Sequence, residues 1–375
     1  MDRGAIVIAV DRHAGLPSLA PEWDALADRV GAVPFLRPGW VAAWEGAFAW
    51  RPLRILAARR DGRLVGVLPT MGRGATRSAT NGHTPHSGIL AEDAAVASAL
   101  VRALYESRPR SIRVAYLDPA ESGVATVVDA ARAAGYRRTM RIVRSPYVAV
   151  DGDHDAYVRG RRRSFASDLR RRRRRLEEEG PVTLVGAQDG EDGRRLLDRL
   201  VTLEAMRRRD GTAIAGHAST RRFYGEVAAW AGARGTLRML ALCLGGRPLA
   251  VLLGVEESGV LWLLKGGYDP RYARFSPGQL VLGDAISQAF AAGLSRVELG
   301  SGTEPYKLQW TDAVRDRVTV HAYAPTVAGS LCWIAAARGR PLAERAGLDR
   351  RLRPLRDGAA TASEPMRTGA RRRVR

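Results

Sequence analysis

Lysine is nearly absent from this chain. Of its 60 basic residues, only Lys265 and Lys307 are lysine, and the other 58 are arginine. Arginine is a planar fork that is always charged, whereas lysine is a compact point charge with a tunable pKa. The two lysines therefore mark positions where arginine does not serve, or chance survivors on a solvated surface. Cysteine is also scarce. Cys243 and Cys332 lie far apart in apolar stretches, read as buried thiols, and exclude a disulfide framework or a cysteine metal site. No apolar run approaches the roughly 20 residues that span a bilayer. The short apolar run at residues 5–10, with Asp2 before it and Asp11 after, lacks the basic n-region and long apolar region of a signal peptide, so it reads as a first strand, and the chain is expected to be cytoplasmic. Neither a Gly-x-Ser-x-Gly elbow nor a reactive-cysteine setting is present, which argues against a covalent enzyme intermediate.

Acidic residues number only 39, leaving a net charge of +21. Such a balance invites a nucleic-acid reading. The excess is concentrated in residues 159–175 and after residue 338, which weakens it. The first of these runs holds ten arginines against Asp168. It reads as a solvated helix or as a footprint for a polyanion.

What is present is a duplication. Residues 53–68 (LRILAARRDGRLVGVL) recur as 237–252 (LRMLALCLGGRPLAVL). Each copy reads as strand, tight turn, strand, with Asp61-Gly62 and Gly245-Gly246 as hairpin turns. In both halves a helix and a short strand follow, at residues 88–118 and 278–302. The second helix is expected over 277–292, with Gly293 as its cap. Two similar mixed α/β halves follow from this order. Between them, residues 157–179 read as one long helix with Phe165, Leu169 and Leu176 as a sparse apolar stripe. A hydrophobic helix is expected at 327–338, and disorder from about residue 357.

These pieces resemble the GNAT-fold acyltransferases of the Fem-like type, in the tandem-domain branch associated with cellulose or exopolysaccharide biosynthesis. The resemblance rests on PFLRPGW at 34–40 with Trp44, the hairpin at 54–69 and the arginine-rich segment 164–180. It continues through GYDPRYARFSPGQL at 267–280 and the segment 298–307, covering roughly residues 20–325. It implies tandem GNAT-like domains at 1–150 and 181–325, joined by an arginine-rich helical linker at 151–180, with a helix and basic tail at 326–375. It also implies acyl transfer, with an acyl-coenzyme A (acetyl-coenzyme A first) as donor and a small molecule or saccharide as acceptor. No metal is expected. Aminoacyl-tRNA is the alternative donor, and a non-catalytic partner in polysaccharide assembly is the reading of a different class.

The candidate residues follow. Ser276, Gly278 and Gln279 open a helix whose free N–H groups suit a phosphate, with Arg271 and Arg274 to supply charge. Leu280 departs from the small residue that GNAT loops carry there. Glu298 alternates with Val297 and Leu299; facing a cleft, it could act as general base, and otherwise it is a glutamate paired with arginine. Beyond the turn at 300–302, Tyr306 could protonate a departing thiolate. The resemblance maps the active-site lysine of Fem-like enzymes onto Lys307, where it could stabilise an oxyanion. Lys265 reads as a strand-end lysine that could reach the same cleft, and Trp310 as core. His83 and His86 lie in the corresponding first-half loop, with no third metal ligand nearby in sequence.

Overall fold

The computed structural model describes residues 8–345 apart from 122, 163, 188–189 and 208–212. The first half runs β1 (Ala9–Ala14), α1 (Ala20–Arg29), α2 (Pro38–Phe48), β2 (Arg54–Arg60), β3 (Arg63–Met71), β4 (Ala75–Ser78), β5 (Leu90–Ala91), α3 (Ala94–Glu106), β6 (Ser111–Leu117), α4 (Gly123–Ala133) and β7 (Arg137–Ala149). Two helices connect the halves, α5 (His154–Arg159) and α6 (Phe165–Glu177). The second half runs β8 (Val182–Ala187), α7 (Gly190–Arg207), α8 (Ala218–Ala233), β9 (Leu237–Leu244), β10 (Arg247–Glu257), β11 (Val260–Tyr268), α9 (Pro277–Ala291), β12 (Arg296–Glu298), α10 (Pro305–Leu308), β13 (Val314–Tyr323) and α11 (Val327–Arg345).

Local chemistry accounts for several boundaries. Both hairpin turns place two successive residues at positive φ, Asp61 and Gly62 in one and Gly245 and Gly246 in the other, which suits the twist of the flanking strands. Pro277 begins α9, and Gly293 follows its cap residue in the left-handed region.

All strands join one mixed sheet, ordered β1-β2-β3-β4-β6-β13-β7-β12-β11-β10-β9-β8, with β5 beside β3. The halves exchange their last strands. β7 pairs antiparallel with β12 of the second half, and β13 pairs antiparallel with β6 of the first. β7 and β13 then pair with each other over ten residue pairs, from Val314 opposite Pro146 to Tyr323 opposite Arg137. The exchange thus crosses the boundary expected at residue 150.

One apolar core covers a face of both halves. In it Phe35 and Trp40 of the first half meet Trp262 and Phe223 of the second, edge to face at 4.9 and 5.3 Å. Gly39 permits the approach of α2 to α8: a Cβ there would lie 2.0 Å from Trp230 Nε1. Gly39→Ala is expected to push that ring away and cost about 1–3 kcal/mol, read as a lowered denaturation midpoint. Beneath the same contact, buried Arg37 pairs with Glu257 of the second half at 2.7 Å. Separate cores fill the opposite face, under α3 and α4 in one half and under α9 in the other.

Four expectations need correction. The single helix over 157–179 is two, interrupted around Gly160, although Phe165 and Leu176 are buried as the stripe requires. The first strand begins at Ala9, and the residues before 8 lie outside those described. The last helix extends beyond residue 338 to Arg345; the tail after it is also outside the described residues. Cys243 is buried, but Cys332 is exposed.

Candidate functional site

Strands β11 and β12 run parallel for only three pairs, ending with Trp262 opposite Glu298. The pairing stops there, the chain leaves β12 through positive-φ residues Gly300 and Gly302, and the gap is lined by residues 263–268 and 299–301. On its other edge β11 carries an irregularity opposite Leu253 and Gly254. A cavity of about 530 Å³ opens in the gap. Its walls come from β11, the start of α9, the 299–307 segment, α6, α7, α8 and the first-half loop at residues 82–85.

At the α9 end, Ser276, Gly278 and Gln279 line the cavity. Ser276 adopts a left-handed conformation and does not cap α9 with its side chain; its hydroxyl accepts a hydrogen bond from Arg172 of α6. Gly278 packs against Tyr268, whose ring would lie 3.1 Å from an added Cβ. Gln279 ties α9 to α10, donating to the Tyr306 carbonyl at 3.1 Å and accepting from Trp310 Nε1 at 2.6 Å. Trp310 itself is core. Arg271 and Arg274 do not line the cavity: Arg271 forms a bidentate pair with Asp269, and Arg274 pairs with Glu179 at 2.8 Å. The arginine at this wall is Arg172, from the run that sequence reading left undecided.

Lys307 is buried at the cavity wall. Its ammonium donates to the carbonyls of Gly300, Ser301 and Gly302 at 3.3, 2.8 and 3.3 Å, and pairs with Glu304 at 2.9 Å. Burial draws its pKa below the ordinary lysine range, against the pull of Glu304. The neighbouring Tyr306 is 45% exposed at the cavity mouth.

At the other end, Lys265 lies inside β11, not at its end, and lines the cavity. Both lysines of the chain thus face one space. Lys265 Nζ sits 3.7 Å from Glu204 Oε1 and 5.6 Å from the centre of the Tyr224 ring. Glu204 is buried, and its second oxygen accepts the Ile214 backbone N–H at 2.9 Å. From the first half, His83 stacks on Phe48 and places Nδ1 3.0 Å from the Tyr224 hydroxyl. Burial, with Lys265 and His217 nearby, pushes the His83 pKa down to about 3. The unfolded chain therefore binds more protons than the folded chain between about pH 3 and 6.5, so His83 contributes stability that is lost as pH falls through that window. His83→Gln is expected to flatten the loss between pH 6.5 and 4.5 in denaturant titrations; an unchanged slope would count against a neutral His83.

Glu298 is a correction. Strand alternation holds, since Val297 and Leu299 join the core under α9, but Glu298 does not line the cavity. It is buried on the opposite face among Arg296, Arg315 and Arg317, with oxygen–nitrogen distances of 2.8, 3.9 and 3.8 Å. Burial raises its pKa, and those arginines pull back. Arg317 also binds Asp118, joining the halves. Beside them stands His86, which meets Asp118 and Glu121 to form the only group of three such ligand types among the described residues. Asp118 accepts from the Ala120 N–H as well as from Arg317, so the trio sits among cations.

Residues 163–308 match the acetyltransferase (GNAT) domain family. No curated protein matches the chain. Among solved structures, FemX superposes with a TM-score of 0.58 at 12% identity, over 84% of this chain and 97% of that one. The C-terminal domain of a putative lysylphosphatidylglycerol synthetase from Agrobacterium fabrum gives 0.54 at 11%, over 85% and 95%. A conserved protein of unknown function from Bacteroides thetaiotaomicron gives 0.51 at 11%, over 76% and 89%. At such identities these are likenesses of fold. The chain has a mixed α/β architecture, and the acetyltransferase (GNAT) match falls on the segment from α6 to α10. Among the described residues no helix is long and apolar enough to cross a membrane.

Sequence reading missed Glu204, Tyr224 and Arg172. A signal existed for the first two, each a polar group on an otherwise apolar helix face. Arg172 had none, because five arginines adjoin it in sequence.

Proposed function

We propose that the chain is an acyl-coenzyme A-dependent acyltransferase, moving an acyl group such as acetyl to an amine or hydroxyl of a small or saccharide acceptor by direct attack. The observation that carries this reading is the gap between β11 and β12, with the N-terminus of the 15-residue helix α9 and Arg172 at its wall. A helix N-terminus with an arginine beside it suits the donor's pyrophosphate. The thioester then runs into the gap, and the acceptor meets it from the first-half end. There the carboxylate facing the acceptor is Glu204, which takes over the proton-accepting role first given to Glu298. Tyr306, exposed at the mouth, protonates the departing thiolate. Lys307 holds the turn that shapes the gap, through four partners that already engage its ammonium.

Calorimetry with acetyl-coenzyme A tests the reading. Binding is expected, and Arg172→Ala should weaken it by about ten- to hundredfold, as for loss of a charged hydrogen bond. Arg271→Ala should leave affinity little changed. One observation favours aminoacyl-tRNA as the donor instead: Arg170, Arg171, Arg174 and Arg175 are exposed on α6, the helix that supplies Arg172. Salt-sensitive tRNA binding that disappears when these four are neutralised, with no coenzyme A binding, would replace the first reading by the second.

A further inference from the structure

We propose that α11 attaches the chain to an anionic lipid surface, laying an apolar stripe into the headgroup region while the arginines that follow it in sequence meet the phosphates. This does not depend on the reaction assigned to the cavity. Residues 327–337 (VAGSLCWIAAA) contain no charged side chain, although they form a helix on the outside of the sheet. A surface helix ordinarily turns polar residues outward. Trp333 fixes which side of α11 faces in. Its Nε1 donates to the Arg138 carbonyl of β7 at 3.2 Å, and the Arg137 guanidinium lies over its ring at 5.0 Å. Gly329 is buried on the same side, and a Cβ there would lie 2.2 Å from the Ala324 carbonyl oxygen.

With about 3.6 residues per turn, Val327, Ala328, Leu331, Cys332 and Ala335 fall on one stripe away from that contact. All five are exposed, Val327 at 80% and Leu331 at 62%. The outward face of the helix is thus apolar over about two turns, and among the described residues nothing covers it. A contiguous apolar surface of this kind marks a place where something docks.

Charge selects the occupant. Residues 338–375, which begin where the uncharged segment ends, carry twelve arginines against four acidic residues. That excess repels a second copy of the chain and attracts a negatively charged leaflet, to which each basic residue near the surface adds affinity. Shape agrees. Val327 and Leu331 wall a groove of about 540 Å³ that Arg137 also lines, so apolar surface and a guanidinium share one depression. That pairing suits the level in a bilayer where acyl chains meet phosphates. The helix is not long and apolar enough to cross a bilayer, so its place is in the plane of the interface.

The full chain would be sedimented with vesicles of phosphatidylcholine alone and with vesicles containing roughly 30% phosphatidylglycerol. Cys332 is exposed on the stripe and Cys243 is buried, so a polarity-sensitive thiol label reports from the stripe itself. The expected result is binding to the anionic vesicles only, with the label's emission shifted to the blue. Leu331→Asp and Val327→Asp should each weaken binding roughly tenfold. Both positions are exposed, so denaturation midpoints should stay close to that of the parent chain. Glutamine at Arg371, Arg372, Arg373 and Arg375 should also weaken binding, as should about 0.5 M salt. Absence of binding to the anionic vesicles would overturn the proposal. So would binding that neither aspartate variant changes, because the arginines alone would then account for it. A label shift that grows with protein concentration and needs no vesicles would make a second copy the occupant and overturn it as well.

Discussion

Lys307→Arg is expected to abolish turnover and destabilise the chain by about 2 kcal/mol, even though it conserves charge. The reason is the convergence of three carbonyls, from Gly300, Ser301 and Gly302, on one nitrogen. A planar guanidinium spreads its donors and cannot point three of them at that spot. With the carbonyls released, the turn loses what fixes it and the gap beside β11 loses its wall. Lys307→Ala should behave similarly, with Glu304 left unpaired as well. Denaturant midpoints and acetyl-coenzyme A affinity, measured on both variants, distinguish the possibilities. If Lys307→Arg kept full stability and donor affinity while turnover alone fell, the lysine would be acting on the reacting atoms and not on the turn.

Arg317→Met should be the most destabilising single change in the charged centre, by about 3–5 kcal/mol. Methionine matches much of the arginine's volume, so little packing is lost. The cost arises because Asp118 and Glu298, both buried, lose the guanidinium between them. Adding Glu298→Gln should restore part of the loss, since it removes one stranded charge. Urea unfolding of the single and double variants measures the coupling. A stable Arg317→Met chain would mean that Arg296 and Arg315 compensate fully.

The contrast between these two sites shows what could be read from sequence. Both hairpins were legible because their turns depend on two adjacent residues, and α9 because Pro277 and Gly293 bracket it. Legibility ended where long-range partners decide a role. Alternation put Glu298 on a face of its strand, but two of the three arginines that meet it there, Arg315 and Arg317, lie on β13, which no local pattern assigns to the centre of the sheet. Arg271 and Arg274 look available for phosphate in sequence, but Asp269 and Glu179 compete for them in the fold. Lys265 reads as a strand end because Gly266-Gly267 follow it, yet β11 continues through them to Tyr268.

The strand exchange has a consequence for how the molecule is made. β6 emerges from the ribosome long before β13, its neighbour in the finished sheet; roughly 200 residues separate them, which at ~5–20 residues per second is a wait of ~10–40 s. Throughout that interval the nascent first half carries an open strand edge beside a hydrophobic face, a setting prone to mispairing. The same edge is a natural place for a chaperone to hold the chain, and a stop before residue 323 would leave a polypeptide that neither half can complete. Among the described residues, the last strand to be synthesised closes the first half.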